Sequence, residues 1–430
     1  MKKNIDIIFL IEGSNMGNKD IDHMLPFLYF LEKSKKIEFT AKGFILDGDN
    51  SSIYNKDPRT EFLSNIKKVE LVYLNKTKVL NILNKLLFLK SNLIIIKIFN
   101  SILDKLINKF LQIKLSKTNW EKKVGENFSK SKRPLIFTLQ ANKKIINIVS
   151  KLKIINKKAK WIVLPHGTTI CDNKMVHNLH LDKSQKIKKN NQFDKTDYIF
   201  KTSNRDLKDA ISMGLKKYKG KVIGSPRFCN EWLKLKSDLK LDGKKIIINN
   251  KKKIRILFLL PKEFINIFTD ELIRTIDFLS SYNEFEIKTV NYYFYPKLPK
   301  YLDSRQNLQK YLVSDQYSTS QLINWSQIVF HAGSGVIFES FMKNRITVFP
   351  KYLTCNTLIS AEYGAGINLN NRDDLRRLCN EAVKSIDKLE KNYKKRNFHS
   401  INNFLNDFVQ THKNSVIRNI EKSVLSSIKN

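Results

Sequence analysis

The chain has 430 residues, of which 42% are hydrophobic, and its formal net charge is +38. This length predicts two or three domains with sizeable cores. Nucleic acid is not an expected partner, because only 13 of the 78 basic residues are arginine and because zinc-finger spacings, aromatic ribonucleoprotein boxes and compact basic arms are missing. We expect the excess of lysine to favour anionic lipid headgroups and phosphorylated substrates instead.

The cellular compartment is indicated by the cysteines and by the amino terminus. The four cysteines are far apart and form no metal-type pair, so we expect reduced structural thiols. The apolar run 5–11 contains Asp6 and ends in Glu12, which is not the pattern of a signal peptide. No stretch reaches the roughly 18 uncharged apolar residues of a membrane span. These features predict a cytoplasmic protein, and peripheral attachment to the inner face of the plasma membrane stays open.

The first half of the chain alternates between predicted strands and helices. The predicted strands are 5–11, 39–46, 135–139, 161–164, 198–200 and 221–223, and the predicted helices are 24–33, 145–152 and 204–213. Such alternation predicts an α/β domain with a mainly parallel sheet and helices on both faces. The lysine-rich stretch 234–253 contains few apolar residues, and we expect a hinge or a surface excursion there.

The same pattern restarts in the second half. Its predicted strands are 254–260 and 285–290, its predicted helices are 269–282 and 372–386, and a strand, loop, helix and strand unit covers 327–352. We therefore expect an amino-terminal domain over 1–232 and a second α/β domain over 233–395. In such a pair of domains the active site lies in the cleft at the carboxyl ends of both sheets.

Residues 78–115 differ from the rest because they are apolar and basic together. Leucine, isoleucine and phenylalanine are interleaved with lysine throughout this segment. One interpretation is a segment that lies in a bilayer interface with its lysines on anionic headgroups. The other interpretation is one or two core helices with solvated lysines, and the sequence leaves both open.

The unit 327–352 predicts a phosphate site. Glycines among small residues let backbone N–H groups approach an anion, and the helix that begins near Val336 directs its positive dipole end to the same point. Glu339 lies on the first turns of that helix, within reach of the two hydroxyls of a ribose. A glycine-bearing turn of any α/β protein is the structural alternative. The predicted donor-binding residues of this unit are His331, Gly333, Ser334, Gly335 and Glu339.

These residues carry a family resemblance. The run His331, Gly333, Glu339 and Ser340 resembles the donor-binding motif of UDP-glycosyltransferases, and the loop is similar to those of UDP-GlcNAc 2-epimerases and CDP-glycerol glycerophosphotransferases. All three families have the GT-B fold. The resemblance implies two Rossmann-like domains that face each other across a cleft, and a carboxyl-terminal helix that crosses back to the first domain. We assign residues 396–430 to that helical segment.

A first candidate base follows the predicted strand 161–164. The strand stops at Pro165 and presents His166, whose imidazole can accept a proton from an acceptor hydroxyl near neutral pH. The tetrad 165–168 resembles the histidine-glycine-threonine motif of CDP-glycerol glycerophosphotransferases. That resemblance implies a catalytic His166, with Gly167 and Thr168 beside the acceptor. A structural histidine at the end of a strand is the alternative.

A second candidate base is His23. It starts a predicted helix and is followed three residues later by a proline, which resembles the first-loop histidine motif of UDP-glycosyltransferases. Asp22, and also Asp20, would then orient a histidine or bind acceptor hydroxyls. Glu12 and Gly13 end the first strand, where a GT-B acceptor site is expected. Alternatively, His23 caps the helix or packs against it.

Two cationic residues complete the predicted site. Arg227 belongs to a run, 224–228, that resembles the glycine-x-proline-arginine element of the glycerophosphotransferases, and its planar fork of donors suits a phosphate or a carboxylate. A surface salt bridge at an interdomain turn is the alternative. Lys262 follows the first strand of the second half and is a further phosphate candidate. No dispersed acidic set resembles a metal-binding DxD site. We therefore expect no metal and no cofactor, with cations and a helix terminus stabilising the departing nucleotide.

The sequence as a whole predicts a metal-independent glycosyltransferase. It would move a sugar from a nucleotide-activated donor to a saccharide or lipid-linked acceptor during synthesis of a capsule, lipopolysaccharide or teichoic-acid-like polymer. The expected partners are the donor, the acceptor and an anionic inner-membrane surface. Three alternatives stay open: a CDP-glycerol-type glycerophosphotransferase, a UDP-sugar 2-epimerase, and a non-catalytic GT-B saccharide-binding protein.

Overall fold

The computed structural model describes residues 2–12, 17–46, 58–66, 69–74, 123–166, 192–239, 241, 246–248, 250, 252–261, 267–290, 302, 306–313, 317–409 and 415–429. The predicted segment 78–115 and the site residues Gly13, Gly167, Thr168 and Lys262 lie outside these ranges. Among the described helices, none is both long enough and apolar enough to cross a membrane.

The first sheet has seven strands in the order β3-β2-β1-β4-β5-β6-β7, and every pair is parallel. The strands are β1 (Lys3–Glu12), β2 (Ile37–Leu46), β3 (Val69–Leu74), β4 (Pro134–Thr138), β5 (Lys160–Val163), β6 (Tyr198–Lys201) and β7 (Gly220–Val222). The chain order reverses between β1 and β4. In open parallel sheets this switch point opens a crevice at the carboxyl ends of the strands, where ligands bind.

The described residues of this half form the helices α1 (Gly17–Glu32), α2 (Pro58–Asn65), α3 (Glu126–Lys130), α4 (Lys143–Ile155), α5 (Gln192–Lys195), α6 (Asn204–Ser212) and α7 (Asn230–Asp238). They cover the strands, so β4, with the sequence PLIFT, is buried at every position and shows no alternation. The capping side chains of Asn142 and Ser203 accept hydrogen bonds from backbone N–H groups of the first turns of α4 and α6.

The second sheet has five strands in the order β12-β11-β10-β8-β9, all parallel. Its strands are β8 (Ile254–Leu259), β9 (Phe285–Val290), β10 (Ile328–His331), β11 (Ile346–Pro350) and β12 (Ile367–Leu369). Its helices are α8 (Thr269–Ser280), α9 (Thr319–Trp325), α10 (Ile337–Met342), α11 (Ile359–Glu362), α12 (Arg372–Lys384) and α13 (Ile386–Phe408). The last helix, α14 (Val416–Ser427), packs against α1 and β7 of the first half.

Two predicted elements need correction. The expected excursion 234–253 begins as the end of helix α7, because Trp232 and Leu235 pack into the core of the first half. The predicted helix 372–386 corresponds to α12 but ends two residues earlier, because the chain breaks at Ser385, whose side chain caps α13. The expected domain boundary after residue 232 therefore falls inside α7.

A separate hydrophobic cluster joins the two halves. It contains Phe228 from the loop after β7, residues of α10, and the end of α13. The ring of Phe228 lies 5.5 Å from that of Phe338, and the backbone N–H of Ser225 donates to the carbonyl of Val409 over 3.2 Å. These contacts hold the loop 224–228 between the carboxyl edge of the first sheet and helix α10.

Candidate active site

Polar side chains from four elements converge at the carboxyl edge of the first sheet. Helix α1 follows β1 and supplies Asp20, Asp22 and His23. His166 follows β5, and Arg227 follows β7. A further arginine, Arg59, comes from the first turn of α2. Parallel strands end at one edge, so residues remote in sequence meet there.

Asp22 is the centre of an ion-pair cluster. One carboxylate oxygen lies 2.6 Å from Nη1 of Arg59, and the other lies 3.2 Å from Nη2 of Arg227. Burial would raise the pKa of Asp22, but the nearby charges of Arg59, Arg227 and Lys236 outweigh it and hold that pKa well below its ordinary value. Asp22 is therefore a permanent anion that fixes the two guanidinium groups, and it is not a proton donor at neutral pH.

His23 lies next to the same arginine. Its Nε2 is 3.2 Å from Nη1 of Arg227. A guanidinium only donates hydrogen bonds, so Nε2 of His23 must be the acceptor, and its Nδ1 carries the proton. Burial, together with the charges of Arg227 and His166, lowers the pKa of His23 well below its ordinary value. The ring is thus neutral, and the lone pair of its Nε2 already accepts a hydrogen bond from Arg227.

His166 is the more accessible of the two histidines. Its side chain is 36% exposed, and its Nε2 lies 3.4 Å from Oδ1 of Asp20. Asp20 is itself held, because its other oxygen accepts the backbone N–H of Glu12 over 3.1 Å. The carboxylate of Glu12 in turn accepts a hydrogen bond from the side chain of Asn142 over 2.6 Å. The fixed carboxylate thus orients an imidazole that is partly exposed.

A small pocket opens between these histidines and the loop after β7. Its wall combines the polar groups of the ion-pair cluster with apolar side chains, as is usual for ligand sites. The lining residues are His23, Phe27, Leu164, Pro165, Thr202, Ser225, Pro226, Arg227 and Phe228. Among the described residues, no three His, Cys, Asp or Glu side chains are grouped so as to hold a metal ion.

The predicted phosphate loop lies at the carboxyl end of β10 in the second sheet. Gly333 has a φ of 118°, a conformation that favours glycine. A Cβ added to Gly335 would meet no atom within 4 Å, so the space beside this backbone is open. The stretch 333–336 is half-buried rather than buried. The backbone of this stretch is the part of the loop that a diphosphate can approach.

His331 and Glu339 are buried beside that loop rather than exposed on its surface. His331 is 1% exposed, burial lowers its pKa to about 3, and its Nδ1 has no hydrogen-bond partner among the described residues. Glu339 is 3% exposed; its carboxylate lies 2.6 Å from Nζ of Lys343 and also accepts a hydrogen bond from Ser320. Both side chains are packed inside the domain, and their contacts with a donor stay a prediction.

Two residues of this region have no signal in the sequence. Arg59 follows a proline at the start of α2 and belongs to no motif, although its contact with Asp22 is the shorter of the two. Lys236 stands in a lysine-rich stretch, yet it is 8% exposed. Burial would raise the pKa of Glu339, but the charges of Lys236 and Lys343 lower it to about 2. Lys236 also lowers the pKa of Asp22, so its charge acts on a carboxylate of each half.

Comparisons with known proteins reveal the fold. No protein-family model matches the chain, and no curated protein matches it. A solved structure from Listeria monocytogenes, assigned as a UDP-N-acetylglucosamine 2-epimerase, aligns over 99% of this chain and 97% of its own, with a TM-score of 0.53 and 11% identity. The UDP-GlcNAc 2-epimerase of Neisseria meningitidis, bound to UDP-GlcNAc, aligns over 100% of both chains, with a TM-score of 0.50 and 12% identity.

A third similar structure comes from another class of enzyme. The wall teichoic acid polymerase TagF aligns over 98% of this chain and 88% of its own, with a TM-score of 0.51 and 11% identity. Sequence identities this low establish the fold alone. With two parallel sheets flanked by helices, the protein has the GT-B fold that its sequence predicts.

Proposed function

We propose that the protein is a GT-B-type glycosyltransferase of cell-surface polysaccharide biosynthesis. It transfers a sugar from a nucleotide-activated donor to a saccharide or lipid-linked acceptor. The observation that carries this proposal is the pair formed by His166 and Asp20, 3.4 Å apart at the carboxyl edge of the first sheet. The imidazole is exposed there, and the guanidinium of Arg227 is fixed nearby by Asp22.

In the proposed reaction His166 takes the proton of the acceptor hydroxyl as the new glycosidic bond forms. A well-placed general base contributes about 10²- to 10⁴-fold to the rate. Asp20 holds the ring and stabilises its charged form. His23 does not serve as the base in this arrangement, because its lone pair accepts a hydrogen bond from Arg227. Glu12 positions Asp20, and Gly13, Gly167 and Thr168 remain the predicted neighbours of the acceptor.

The donor is proposed to bind the second domain at the stretch 333–336. Gly333, Ser334 and Gly335 offer backbone N–H groups and open space to a diphosphate. Negative charge that develops on the departing nucleotide is stabilised by cations held in place before the reaction. Arg227 is fixed by Asp22 and is suited to this role, and Lys262 stays a prediction for the same role.

Two of the solved structures similar to this chain are described as 2-epimerases, so epimerisation is the second candidate. That reaction needs carboxylates that abstract a proton from the sugar and return it. At the carboxyl edge of the first sheet, Asp22 is committed to two arginines, and Asp20 and Glu12 accept hydrogen bonds from protein donors. This arrangement favours transfer to an acceptor over epimerisation.

The nucleotide is found by measuring thermal unfolding in the presence of UDP, CDP, CMP, GDP or ADP. A ligand at a hundred times its dissociation constant stabilises the native state by about 2.7 kcal/mol. We expect one nucleotide to raise the unfolding temperature well above the others. A best ligand of the cytidine series would favour the glycerophosphotransferase reading or an acidic-sugar donor.

The reaction class is decided by product analysis. The protein is incubated with activated donors, with and without saccharide acceptors, and the release of nucleotide is followed. We expect release that depends on an acceptor. An isomerised sugar formed without any acceptor would overturn the transferase proposal. Saccharide binding without release from any donor would identify a non-catalytic protein.

A further inference from the structure

The turns that lead into the strands of the first sheet are strongly basic. Among the four residues before each strand, the exposed cations are Lys2, Lys33, Lys35, Lys36, Lys130, Lys132, Arg133, Lys157, Lys158, Lys195, Lys216 and Lys217. All strands of this sheet are parallel, so these turns share one edge, opposite to the candidate active site. We call this surface the basic edge. Lys36 and Lys130 have acidic neighbours, Glu421 and Glu126.

The second sheet shows that lysine-rich composition alone does not account for the basic edge. Turns also precede the strands of this sheet. Among the described residues at the four positions before each of its strands, one exposed cation occurs in total, Lys252. Among the described residues at these positions, each edge has one exposed acid, Asp194 before β6 and Glu284 before β9, so the difference lies in the cations. The two sheets belong to one lysine-rich chain, yet the number of exposed cations before their strands differs sharply.

Apolar side chains are exposed among these cations. Tyr218 stands between Lys217 and Lys219 and is 70% exposed. Ile154, in the last turn of α4, is 58% exposed, and Met213, which caps α6, is 37% exposed. An interfacial membrane surface combines two features: lysines that reach lipid phosphate groups, and apolar side chains that enter the acyl boundary. Neighbouring strands are about 4.8 Å apart, so the basic edge from β2 to β7 is roughly 25 Å wide.

We propose that the basic edge docks the protein on an anionic lipid bilayer. Each lysine or arginine near an anionic surface strengthens attachment, and the apolar side chains add burial that salt does not screen. Nucleic acid fits less well, because Tyr218 is the one exposed aromatic residue in the described turns of this edge and cannot stack a series of bases. The docking itself is independent of the proposed reaction, whereas its consequence for the acceptor rests on the proposed function.

Docking on this edge fixes the direction of the active site. The strand β1 runs from the basic edge to the candidate site over 10 residues. At about 3.3 Å per residue, the site lies roughly 30 Å from the bilayer surface and opens away from it. The acceptor group would then be the distant end of a membrane-anchored saccharide rather than its lipid-proximal end.

The test is co-sedimentation of the full chain with phosphatidylcholine vesicles that contain or lack phosphatidylglycerol. We expect binding to the anionic vesicles alone. Combined replacement Lys157→Ser, Lys158→Ser, Lys216→Ser and Lys217→Ser should weaken it by up to about a thousandfold. Tyr218→Ser should weaken vesicle binding less than the fourfold lysine variant does. At about 1 M salt, where the Debye length is about 3 Å, the Tyr218 variant should lose more of its remaining binding than the wild type loses.

The matched control removes the same charge from another exposed surface. Lys388, Lys391, Lys394 and Lys395 lie on α13, which also exposes Phe398 to 60%. Their combined replacement by serine should leave vesicle binding nearly unchanged. Equal losses in the two fourfold variants would overturn the proposal, as would failure of the wild type to bind anionic vesicles. Preferential binding of an RNA oligonucleotide over the vesicles would also overturn it. Unfolding temperatures verify that each variant is folded, and nucleotide binding is measured separately.

Discussion

The imidazole rings of His23 and His166 lie 5.0 Å apart, centroid to centroid, yet they meet opposite neighbours. Nε2 of His23 faces a guanidinium, whereas Nε2 of His166 faces the carboxylate of Asp20. Burial and the cation lower the pKa of the first ring. Of the two candidate bases, His166 therefore has the more accessible ring, because its side chain is partly exposed and its Nε2 lies beside a carboxylate instead of a guanidinium.

The first prediction follows from that difference. Replacing His166 by alanine should lower the turnover number by about 10²- to 10⁴-fold, because the acceptor proton loses its acceptor. Donor affinity and the unfolding temperature should stay nearly unchanged, since the ring is partly exposed. Steady-state kinetics and thermal unfolding measure both. A large loss of stability with retained specific activity would make His166 structural and transfer the role of base to His23.

The second prediction concerns the ion pairs of Asp22. The change Asp22→Asn leaves two arginines without their counter-charge in a half-buried cluster, and we expect the free energy of unfolding to fall by about 3 kcal/mol. The matched control is Glu271→Gln. Glu271 contacts Arg372 over 2.6 Å, as Asp22 contacts Arg59, but that pair is exposed and should cost less than about 1 kcal/mol. Chemical denaturation compares them, and equal losses would contradict the difference in burial.

The third prediction gives different roles to two glycines of the proposed donor-binding stretch 333–336. Gly335→Ala should keep the stability of the wild type, because the added Cβ meets open space. It should weaken nucleotide binding at least about tenfold, because the methyl group would occupy the approach to the backbone. Gly333→Ala should instead destabilise the fold by about 1–3 kcal/mol, since Gly333 has a φ of 118°. Unchanged nucleotide affinity in the Gly335 variant would exclude this loop as the donor site.

The fourth prediction is a dependence of stability on pH. Burial lowers the pKa of His331 to about 3 in the folded protein, whereas an unfolded chain titrates near 6.5. Between these two values the unfolded state binds the extra proton, so stability falls as the pH falls, by up to about 1.4 kcal/mol per pH unit. Between pH 6.5 and 5, His331→Asn should reduce the slope of stability against pH by up to about 1.4 kcal/mol per pH unit.

The control for this variant is His399→Asn, which changes an exposed histidine. It should leave the decline in stability as it is in the wild type. His23, whose pKa is also lowered, keeps its own contribution in both variants. Urea unfolding at a series of pH values measures the slopes. A His331 variant as pH-dependent as the wild type would show that this ring is not a buried neutral group.

The sequence predicts the fold well because alternation of apolar strands and amphipathic helices is a local property. The predicted strand 161–164 and helix 204–213 agree with β5 and α6 to within one residue. The lysine-rich stretch after residue 233 does not begin as the expected hinge or surface excursion. Helix α7 continues into it, because Trp232 and Leu235 pack against the core of the first half. That packing depends on contacts distant in the chain, which residue composition does not contain.

The candidate site was less predictable from the sequence, for a physical reason. A motif gives the spacing of residues along the chain but not the direction of each side chain. His331 and Glu339 have the spacing of a donor motif, and both are buried. Arg59 and Lys236 belong to no motif, and their charges act on Asp22 only because the fold brings them near it.

Arg227 and Phe228 are neighbours in the chain, and their side chains join different domains. Arg227 contacts Asp22 and His23 of helix α1, whereas Phe228 contacts Phe338 of helix α10. One peptide bond thus couples the packing of Phe228 against the second sheet's helix to the hydrogen bond that Nε2 of His23 accepts. The contact between the two halves therefore helps to set the position of the Arg227 guanidinium beside Asp22 and His23.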